Sequence, residues 1–153
     1  MDKKLFPPLG HVGVIVANVD ESVKSYARLF GAANFAVYDF EPLRAWYNGA
    51  EMPEYKLRIG MGSLDNGTAI ELIQPVTAGT LHDEFLRRTG GGLHHIAFYT
   101  EEFEWWRQHF IALGAKFVFE AEINDSRGYR RCFYAQELGT DSIIEFAQIP
   151  VRK

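Results

Sequence analysis

The chain has 153 residues, a formal net charge of −4 and one cysteine. Hydrophobic residues make up 47% of the chain, which is enough for the core of one domain, and a single cysteine excludes an internal disulfide. The acidic balance lacks the clustered basic face of a nucleic-acid-binding protein. No apolar run approaches the roughly 18 residues of a membrane span, and the N-terminus lacks a signal-peptide pattern. We therefore expect a cytoplasmic protein that binds neither nucleic acid nor membranes.

The first half of the chain predicts four strands and one helix. The segment "GHVGVIVANVDESVKSYARLFGA" begins with an apolar strand from His11 to Ala17, and acidic residues then open a helix that ends at Gly31. Two strands follow near 34–41 and 54–62, separated by the turn signals of "YNGAEMP". The half ends in the strand "AIELIQP". The order of elements is therefore β-α-β-β-β.

The second half repeats this order. The segment "LHHIAFYTEEFEWWRQHFIALGA" contains a strand from His95 to Thr100 and a helix that ends at Gly114. Two further strands are predicted near 116–121 and 129–136, and "IIEFAQIP" matches the final strand of the first half. A short helix in "TLHDEFLRRTG" connects the halves.

This duplication predicts an α+β fold built from two tandem βαβββ modules within one domain, residues 1–153. The modules cover about 9–75 and about 91–149. Each module would curl a mixed β-sheet with its helix on the outer face, so that together they form a cupped sheet around a common cavity. The sheet edges need covering, and we therefore expect a homodimer.

Two histidines begin matching strands. His11 and His95 are each followed two residues later by a small residue, Gly13 or Ala97, on the same face of the strand. Counting back from the glycines that end the helices would instead pair His11 with His94. Because neighbouring residues in a strand point to opposite faces, only one residue of the His94–His95 pair can match His11. His82 and His109 fall at surface-like positions of predicted helices.

Two glutamates lie in the matching final strands. Glu71 and Glu145 are each surrounded by apolar residues, and a carboxylate is costly to bury there unless it is paired or binds a metal. Two histidines and two carboxylates that converge from repeated strands predict a divalent-metal site. These ligand types suit Zn, Ni, Co, Mn or Fe(II). A small-molecule substrate is the expected partner of such a site.

The strands of the second half also carry candidate substrate contacts. Tyr99 and Phe133 are aromatic residues that could line the cavity. Arg130 or Arg131 could hold a carboxylate or phosphate of the substrate, but strand alternation allows only one of them to point inward. Cys132, between Arg131 and Phe133, is expected to be a buried thiol rather than a nucleophile.

The chain resembles the vicinal oxygen chelate superfamily through "HVGVIV", "IELIQP", "GLHHIAF" and "LGTDSIIEFAQ", in that order, from about Leu9 to Gln148. It is most similar to the methylmalonyl-CoA epimerase and glyoxalase I families. The resemblance implies a cupped sheet around one divalent metal. It implies four ligands: His11, Glu71, His95 and Glu145. These are the residues that the internal symmetry also selects, with His95 rather than His94.

The resemblance implies a metal-dependent isomerase, epimerase or lyase that transfers a proton through an enolate. Glu145 is the first candidate for the base and Glu71 the second. The epimerases carry an additional carboxylate where this chain has Arg58, which argues against methylmalonyl-CoA itself. A ring-cleaving extradiol-type dioxygenase is the alternative enzyme. The third alternative is a non-catalytic protein that binds a drug or aromatic ligand.

Overall fold

The computed structural model describes residues 5–31, 34–136 and 139–150. The two ends of the predicted domain, residues 1–4 and 151–153, lie outside these ranges, as do Glu137 and Leu138. The described residues form ten strands and three helices. In chain order they are β1 (Leu9–Ile15), α1 (Val19–Phe30), β2 (Phe35–Phe40), β3 (Arg44–Tyr47), β4 (Ala50–Met52), β5 (Leu57–Ser63), β6 (Ala69–Pro75), α2 (Leu81–Thr89), β7 (Gly92–Thr100), α3 (Phe103–Ala112), β8 (Phe117–Asp125), β9 (Gly128–Gln136) and β10 (Ile143–Gln148).

All ten strands belong to one curled mixed sheet, in the order β2-β5-β6-β1-β7-β10-β9-β8-β3-β4. The first module contributes β2-β5-β6-β1, and the second contributes β7-β10-β9-β8, which is the same arrangement read in the opposite direction. The two modules meet at the antiparallel pair β1–β7, and each of these strands also pairs in parallel with the last strand of its own module. The predicted α+β class and the cupped mixed sheet of two repeated modules are confirmed.

The helices start and stop at the residues that the sequence pattern favours. The side chain of Asn18 caps α1 by accepting a hydrogen bond from the backbone N–H of Glu21, and Gly31 ends the helix in the left-handed conformation. Thr80 caps α2 in the same way. None of the helices in the described parts of the chain has the length and apolar character that crossing a membrane requires.

Helices α1 and α3 cover the convex face of the sheet, while α2 packs over one end of the concave face. Val19 of α1 lies against Gly60 of β5, and Phe103 of α3 packs with Phe133 and Phe146. By contrast, α2 contributes Leu81, Phe85 and Leu86 to the apolar cluster that includes the cavity wall. This arrangement leaves the other end of the concave face open.

The first module contains a hairpin that the sequence pattern did not predict. Strands β3 and β4 pair through the two-residue turn Asn48–Gly49, in which both residues have positive φ, as a type I′ turn requires. Strand β3 also pairs with β8, at the far edge of the second module. The hairpin therefore ties the first module to the outer edge of the second, and the first module has six strands rather than four.

Candidate metal centre

The sheet register brings the four predicted ligands together at the centre of the concave face. Gly13 of β1 lies between Glu71 of β6 and His95 of β7. In the adjacent row, Ala97 of β7 lies between His11 of β1 and Glu145 of β10. Each small residue therefore separates one histidine from one glutamate. A Cβ atom added to Gly13 would lie 2.2 Å from the His95 ring, so the small residue makes the space that the ring occupies.

The ligand atoms face one another at short distances. His11 Nε2 lies 3.2 Å from His95 Nε2 and 3.1 Å from Glu145 Oε2, and His95 Nε2 lies 3.0 Å from the same carboxylate oxygen. Glu71 Oε1 is slightly farther away, 3.6 Å from His11 and 3.7 Å from His95. Ligand atoms about 2.1 Å from one ion are about 3.0 Å apart at right angles and about 3.4 Å apart in a tetrahedron. The spacings among His11, His95 and Glu145 therefore suit one divalent metal ion, and Glu71 lies beside these three side chains.

Burial gives the site its electrostatic character. All four side chains are buried, so two carboxylates are removed from water beside two imidazoles. Burial alone would lower the pKa of His11, but the negative charges of Glu71 and Glu145 outweigh it and raise this pKa to about 9. Burial also opposes ionisation of Glu145, yet attraction to His11 and hydrogen bonds from both histidines lower its pKa. The carboxylates thus attract a cation, which is a proton on His11 when no metal is bound.

Each of the two candidate ligand histidines has a partner at its Nδ1 atom. The Nδ1 atom of His11 lies 2.7 Å from the hydroxyl oxygen of Tyr99, and the Nδ1 atom of His95 lies 2.9 Å from Nδ1 of His94. The ring of Tyr134 lies over that of His95, with 4.7 Å between centroids. Such outer contacts fix the ring orientation and leave Nε2 to face the metal position.

His94 does not point away from His95, contrary to what strand alternation predicts. Strand β7 has an irregular register against β1, where Gly13 pairs with His95 but Val14 pairs with Leu93. This β-bulge at His94 turns its side chain to the concave side, where its ring packs against Phe85 of α2. The expectation that His94 faces the opposite surface is wrong.

His82 is also placed differently from its prediction. It is fully buried rather than at the surface, because α2 lies between Tyr55 and Tyr134. Its Nδ1 lies 2.6 Å from the Tyr55 hydroxyl oxygen and its Nε2 lies 3.2 Å from that of Tyr134. Burial and the neighbouring His94 lower the pKa of His82, so it is a neutral ring that holds the tyrosines. His109 is half-buried on α3 and stacks on Trp105.

A cavity of about 230 Å³ opens beside this site, and His11, Glu71 and Glu145 line it. Tyr99 and Arg130 line it, and Cys132 is a buried part of its wall whose thiol has a pKa raised by burial. Apolar residues from both modules form most of the remaining wall, including Phe40, Leu57, Ile59, Met61, Phe119 and Ile123. The cavity therefore joins a charged floor to apolar sides.

Phe133 and Arg131 do not direct their side chains into the cavity, although Arg131 borders it. Phe133 is fully buried on the convex side, where it packs against Phe103 and Phe146, so the prediction that it contacts substrate is wrong. The guanidinium of Arg131 hydrogen-bonds Glu104 of α3 at 2.7 Å and therefore points away from the cavity. Alternation along β9 makes Arg130 the inward residue of the pair.

Other cavity residues escaped the sequence reasoning. Arg127 lies in the β8–β9 turn, close in sequence to Arg130 and Arg131, and it also lines the cavity. Arg58, in contrast, does not face the cavity, because its side chain pairs with Asp20 of α1 on the convex side. The corresponding inward residues of β5 are the apolar Leu57, Ile59 and Met61.

Comparisons with known proteins agree with this geometry. Residues 10–134 match the family model of the glyoxalase/bleomycin resistance protein/dioxygenase superfamily, and the chain belongs to that superfamily. This is the vicinal oxygen chelate superfamily that the sequence motifs resemble. No curated protein matches the sequence significantly.

Solved structures share the fold over nearly the whole chain. A methylmalonyl-CoA epimerase from Mycobacterium tuberculosis is 17% identical, with a TM-score of 0.72 over 99% of this chain and 93% of the other. A Streptomyces coelicolor methylmalonyl-CoA epimerase variant in complex with 2-nitronate-propionyl-CoA is 19% identical, with a TM-score of 0.68 over 97% of this chain and 100% of the other. A hypothetical protein of Bacillus halodurans is 17% identical, with a TM-score of 0.68 over 95% of this chain and 96% of the other. At these identities the similarity concerns the fold.

Proposed function

We propose that the protein is a metal-dependent isomerase, epimerase or lyase that moves a proton on a small substrate through an enolate. The observation that carries this proposal is the arrangement of two histidines and two carboxylates beside a cavity, with each carboxylate 3.0–3.7 Å from the histidine Nε2 atoms. His11, Glu71, His95 and Glu145 would hold the ion, which is Zn, Ni, Co, Mn or Fe(II). When bound, such an ion polarises a substrate carbonyl and lowers the free energy of its enolate.

The two glutamates differ in how tightly the site holds them. Glu145 accepts hydrogen bonds from both histidines at 3.0–3.1 Å, whereas Glu71 lies 3.6–3.7 Å from them. Burial, opposed by His11 and reinforced by Glu145, raises the pKa of Glu71. A loosely held carboxylate with a raised pKa is the better proton acceptor. We therefore rank Glu71 ahead of Glu145 as the base, reversing the order that the sequence alone favours.

The cavity supplies few other groups for acid–base chemistry. Among the described residues that line it, Glu71 and Glu145 are the carboxylates, and the hydroxyl of Tyr99 lies against His11. Burial raises the pKa of Tyr99, as do the two carboxylates, so this hydroxyl stays protonated and can donate to a substrate oxygen. One base that removes and returns the proton fits these residues better than a pair of opposed bases.

Structural neighbours inform the choice of substrate. Several are methylmalonyl-CoA epimerases, one in complex with methylmalonyl-CoA, so a CoA thioester is one candidate for this chain. A free α-keto or β-keto acid is the other, since both classes offer the paired oxygens that a metal chelates. We propose a small-molecule substrate in either case, and a homodimer as the working assembly.

A ring-cleaving dioxygenase is the second candidate function. His11, His95 and Glu145 are the three side chains whose ligand atoms all lie within 4.8 Å of one another, and two histidines with one carboxylate are the ligands of many non-haem iron oxygenases. The nearby Glu71 argues against this reading, because it occupies space that a catechol and oxygen would need. The complete ligand set likewise argues against a protein that only binds a drug or aromatic ligand.

Isotope exchange distinguishes these functions. The protein, loaded in turn with each candidate metal, is incubated in D₂O with methylmalonyl-CoA and with a panel of α-keto and β-keto acids. Deuterium on the carbon next to the ketone or thioester carbonyl is followed by mass spectrometry. We expect metal-dependent exchange of at least one acid, with loss of about a hundredfold or more in Glu71→Gln. Glu120→Gln is the matched control, because Glu120 pairs with Arg107 on the convex side. Oxygen consumption with catechols and no exchange with any acid would contradict the proposal and support the dioxygenase.

A further inference from the structure

The hairpin between β8 and β9 carries two arginines at the open end of the cavity. Arg130 is on the inward face of β9, and only 12% of its side chain is exposed. Arg127 is in the turn that joins the strands, between the paired residues Asp125 and Gly128. Both arginines line the same cavity as three of the candidate metal ligands, His11, Glu71 and Glu145. One cavity, called the chamber below, therefore contains the two arginines, the carboxylates of the candidate metal centre and a mostly apolar wall.

Both arginines contact the same carboxylate, that of Asp125. Arg130 donates a bidentate pair of hydrogen bonds to Asp125, at 2.8 and 2.9 Å, whereas the Arg127 guanidinium lies 3.4 Å from this carboxylate. The hydrogen bonds from Arg130, outweighing burial, lower the pKa of Asp125, so this group is ionised. Two guanidinium groups and one carboxylate leave an excess positive charge at this end. An arginine has five N–H donors, so donors remain for an anion.

The tip of the hairpin also reaches across the cavity to the first module. Tyr38 of β2, near the opposite edge of the sheet, lines the cavity and interacts with Arg127 through its hydroxyl. Burial and Glu71 raise the pKa of Tyr38, and the charges of Arg127 and Arg130 oppose this rise. Arg130 is thus a largely buried part of the cavity, while Arg127, whose side chain is 64% exposed, reaches the cavity at Tyr38.

The chamber has a mostly apolar wall. Phe40 and Leu57 from the first module and Phe119 and Ile123 from the second line it. Arg130 lies four residues along β9 from Tyr134, the strand partner of Glu145, so the arginine and the carboxylate are at different levels of the cavity. A ligand that spans the chamber would need an uncharged middle. It would need oxygens at one end for the metal and a negative charge at the other.

We propose that Arg127 and Arg130 form an anion subsite, and that the substrate is an acid with chelating oxygens at one end, an apolar spacer and a second anionic group at the other. This inference rests on the proposed metal-dependent function, because the chelating end defines the orientation of the ligand. The second anion is a carboxylate of a small diacid or a phosphate of a thioester carrier, and guanidinium groups bind both.

Matched ligands test the subsite. Binding of α-keto monoacids of graded chain length to the Co²⁺-loaded protein is compared by calorimetry with binding of α-keto diacids of the same lengths. We expect the diacid of the fitting length to bind about tenfold tighter than its monoacid partner, and this advantage to disappear in Arg127→Gln and Arg130→Gln. Arg127→Lys should retain part of it. Arg131→Gln is the control, since its side chain points to α3.

The outcomes separate the two proposals. Equal affinity for monoacids and diacids at every length, together with a propionyl-CoA affinity that Arg127→Gln leaves unchanged, would overturn the subsite while leaving the metal-dependent function intact. Binding of neither keto-acid series nor of propionyl-CoA would overturn the chelating function and the subsite with it. Propionyl-CoA forms the second arm: an affinity that falls about tenfold in Arg127→Gln, with no diacid advantage, would identify the anion as a carrier phosphate.

Discussion

The Nδ1 atom of His94 lies 2.9 Å from the Nδ1 atom of His95, although these residues are neighbours in a strand. The β-bulge in β7 brings both rings to the concave side, and one of the two Nδ1 atoms must carry the proton that they share. His95 then presents Nε2 to His11 and Glu145. The bulge therefore places His94 where its ring can orient the candidate ligand His95.

This contact predicts unequal losses of metal affinity. His95→Ala should abolish Co²⁺ binding, because it removes a ligand atom. His94→Ala should weaken binding by about ten- to a hundredfold, the usual effect of losing an outer partner of a ligand. Calorimetric titration of the metal-free variants measures both. Unchanged affinity in His94→Ala would show that the bulge does not orient His95.

Gly13 provides a second test of the same geometry. In Gly13→Ala the new methyl group would fall 2.2 Å from the His95 ring, so the ring must leave its position. We expect metal affinity to fall by at least an order of magnitude, together with a loss of stability of about 1–3 kcal/mol. Gly60→Ala is the matched control, because its methyl group would lie 3.1 Å from Val19 of α1, on the convex side. Its metal affinity should stay that of the unmodified chain.

The pKa of His11 predicts how pH affects the metal-free protein. It is raised from 6.5 to about 9 by Glu71 and Glu145, against the effect of burial. Protonated His11 therefore stabilises the fold fully below pH 6.5, and this contribution is lost as the pH rises through about 9. Glu71, whose pKa is also raised, acts in the same direction, while the lowered pKa of His94 affects only more acidic solutions.

Denaturant unfolding between pH 6.5 and 9 measures this contribution, on the order of 1–3 kcal/mol. The decline should be smaller in His11→Gln, and saturating metal should suppress it because the ion replaces the proton. A stability that rises over this pH range in the metal-free protein would contradict the assigned charge of His11.

Phe133 predicts a purely structural effect. It is fully buried among aromatic residues under α3, so Phe133→Ala should reduce the free energy of unfolding by about 3–5 kcal/mol. Tyr129→Ala on the same strand, at a residue that is 51% exposed, should change it by less than about 0.5 kcal/mol. In protein that remains folded, a selective loss of ligand affinity from Phe133→Leu would place this side chain at the substrate after all.

The repeat explains why much of the centre could be predicted. His11 and His95, like Glu71 and Glu145, recur at equivalent strand positions, and a register that pairs the modules must bring them together. The positions of the four side chains follow from local periodicity combined with symmetry. Symmetry could not decide between Glu145 and Glu71 as the base. That choice depends on the distances from each glutamate to the two histidines, which differ between the two halves.

The remaining features depend on contacts between distant segments. His94 lies at a bulge, and strand alternation contains no information about an extra residue. The burial of His82 follows from where α2 packs, which its own sequence does not specify. The Asn48–Gly49 pair, in contrast, was a usable hairpin signal within a segment interpreted only as a turn. What the sequence could not supply was the pairing of that hairpin with β8 of the other module.

The stoichiometry of metal binding tests the central claim most directly. Purified metal-free protein is titrated with Co²⁺ by calorimetry, alongside single alanine variants of His11, Glu71, His95 and Glu145 and the control variant Glu120→Ala. We predict one ion per chain in the unmodified protein and in the control, loss of binding in the two histidine variants and in Glu145→Ala, and weaker binding in Glu71→Ala. Full-strength binding by His11→Ala or Glu145→Ala would mean that the ion, and the chemistry proposed for it, lies elsewhere.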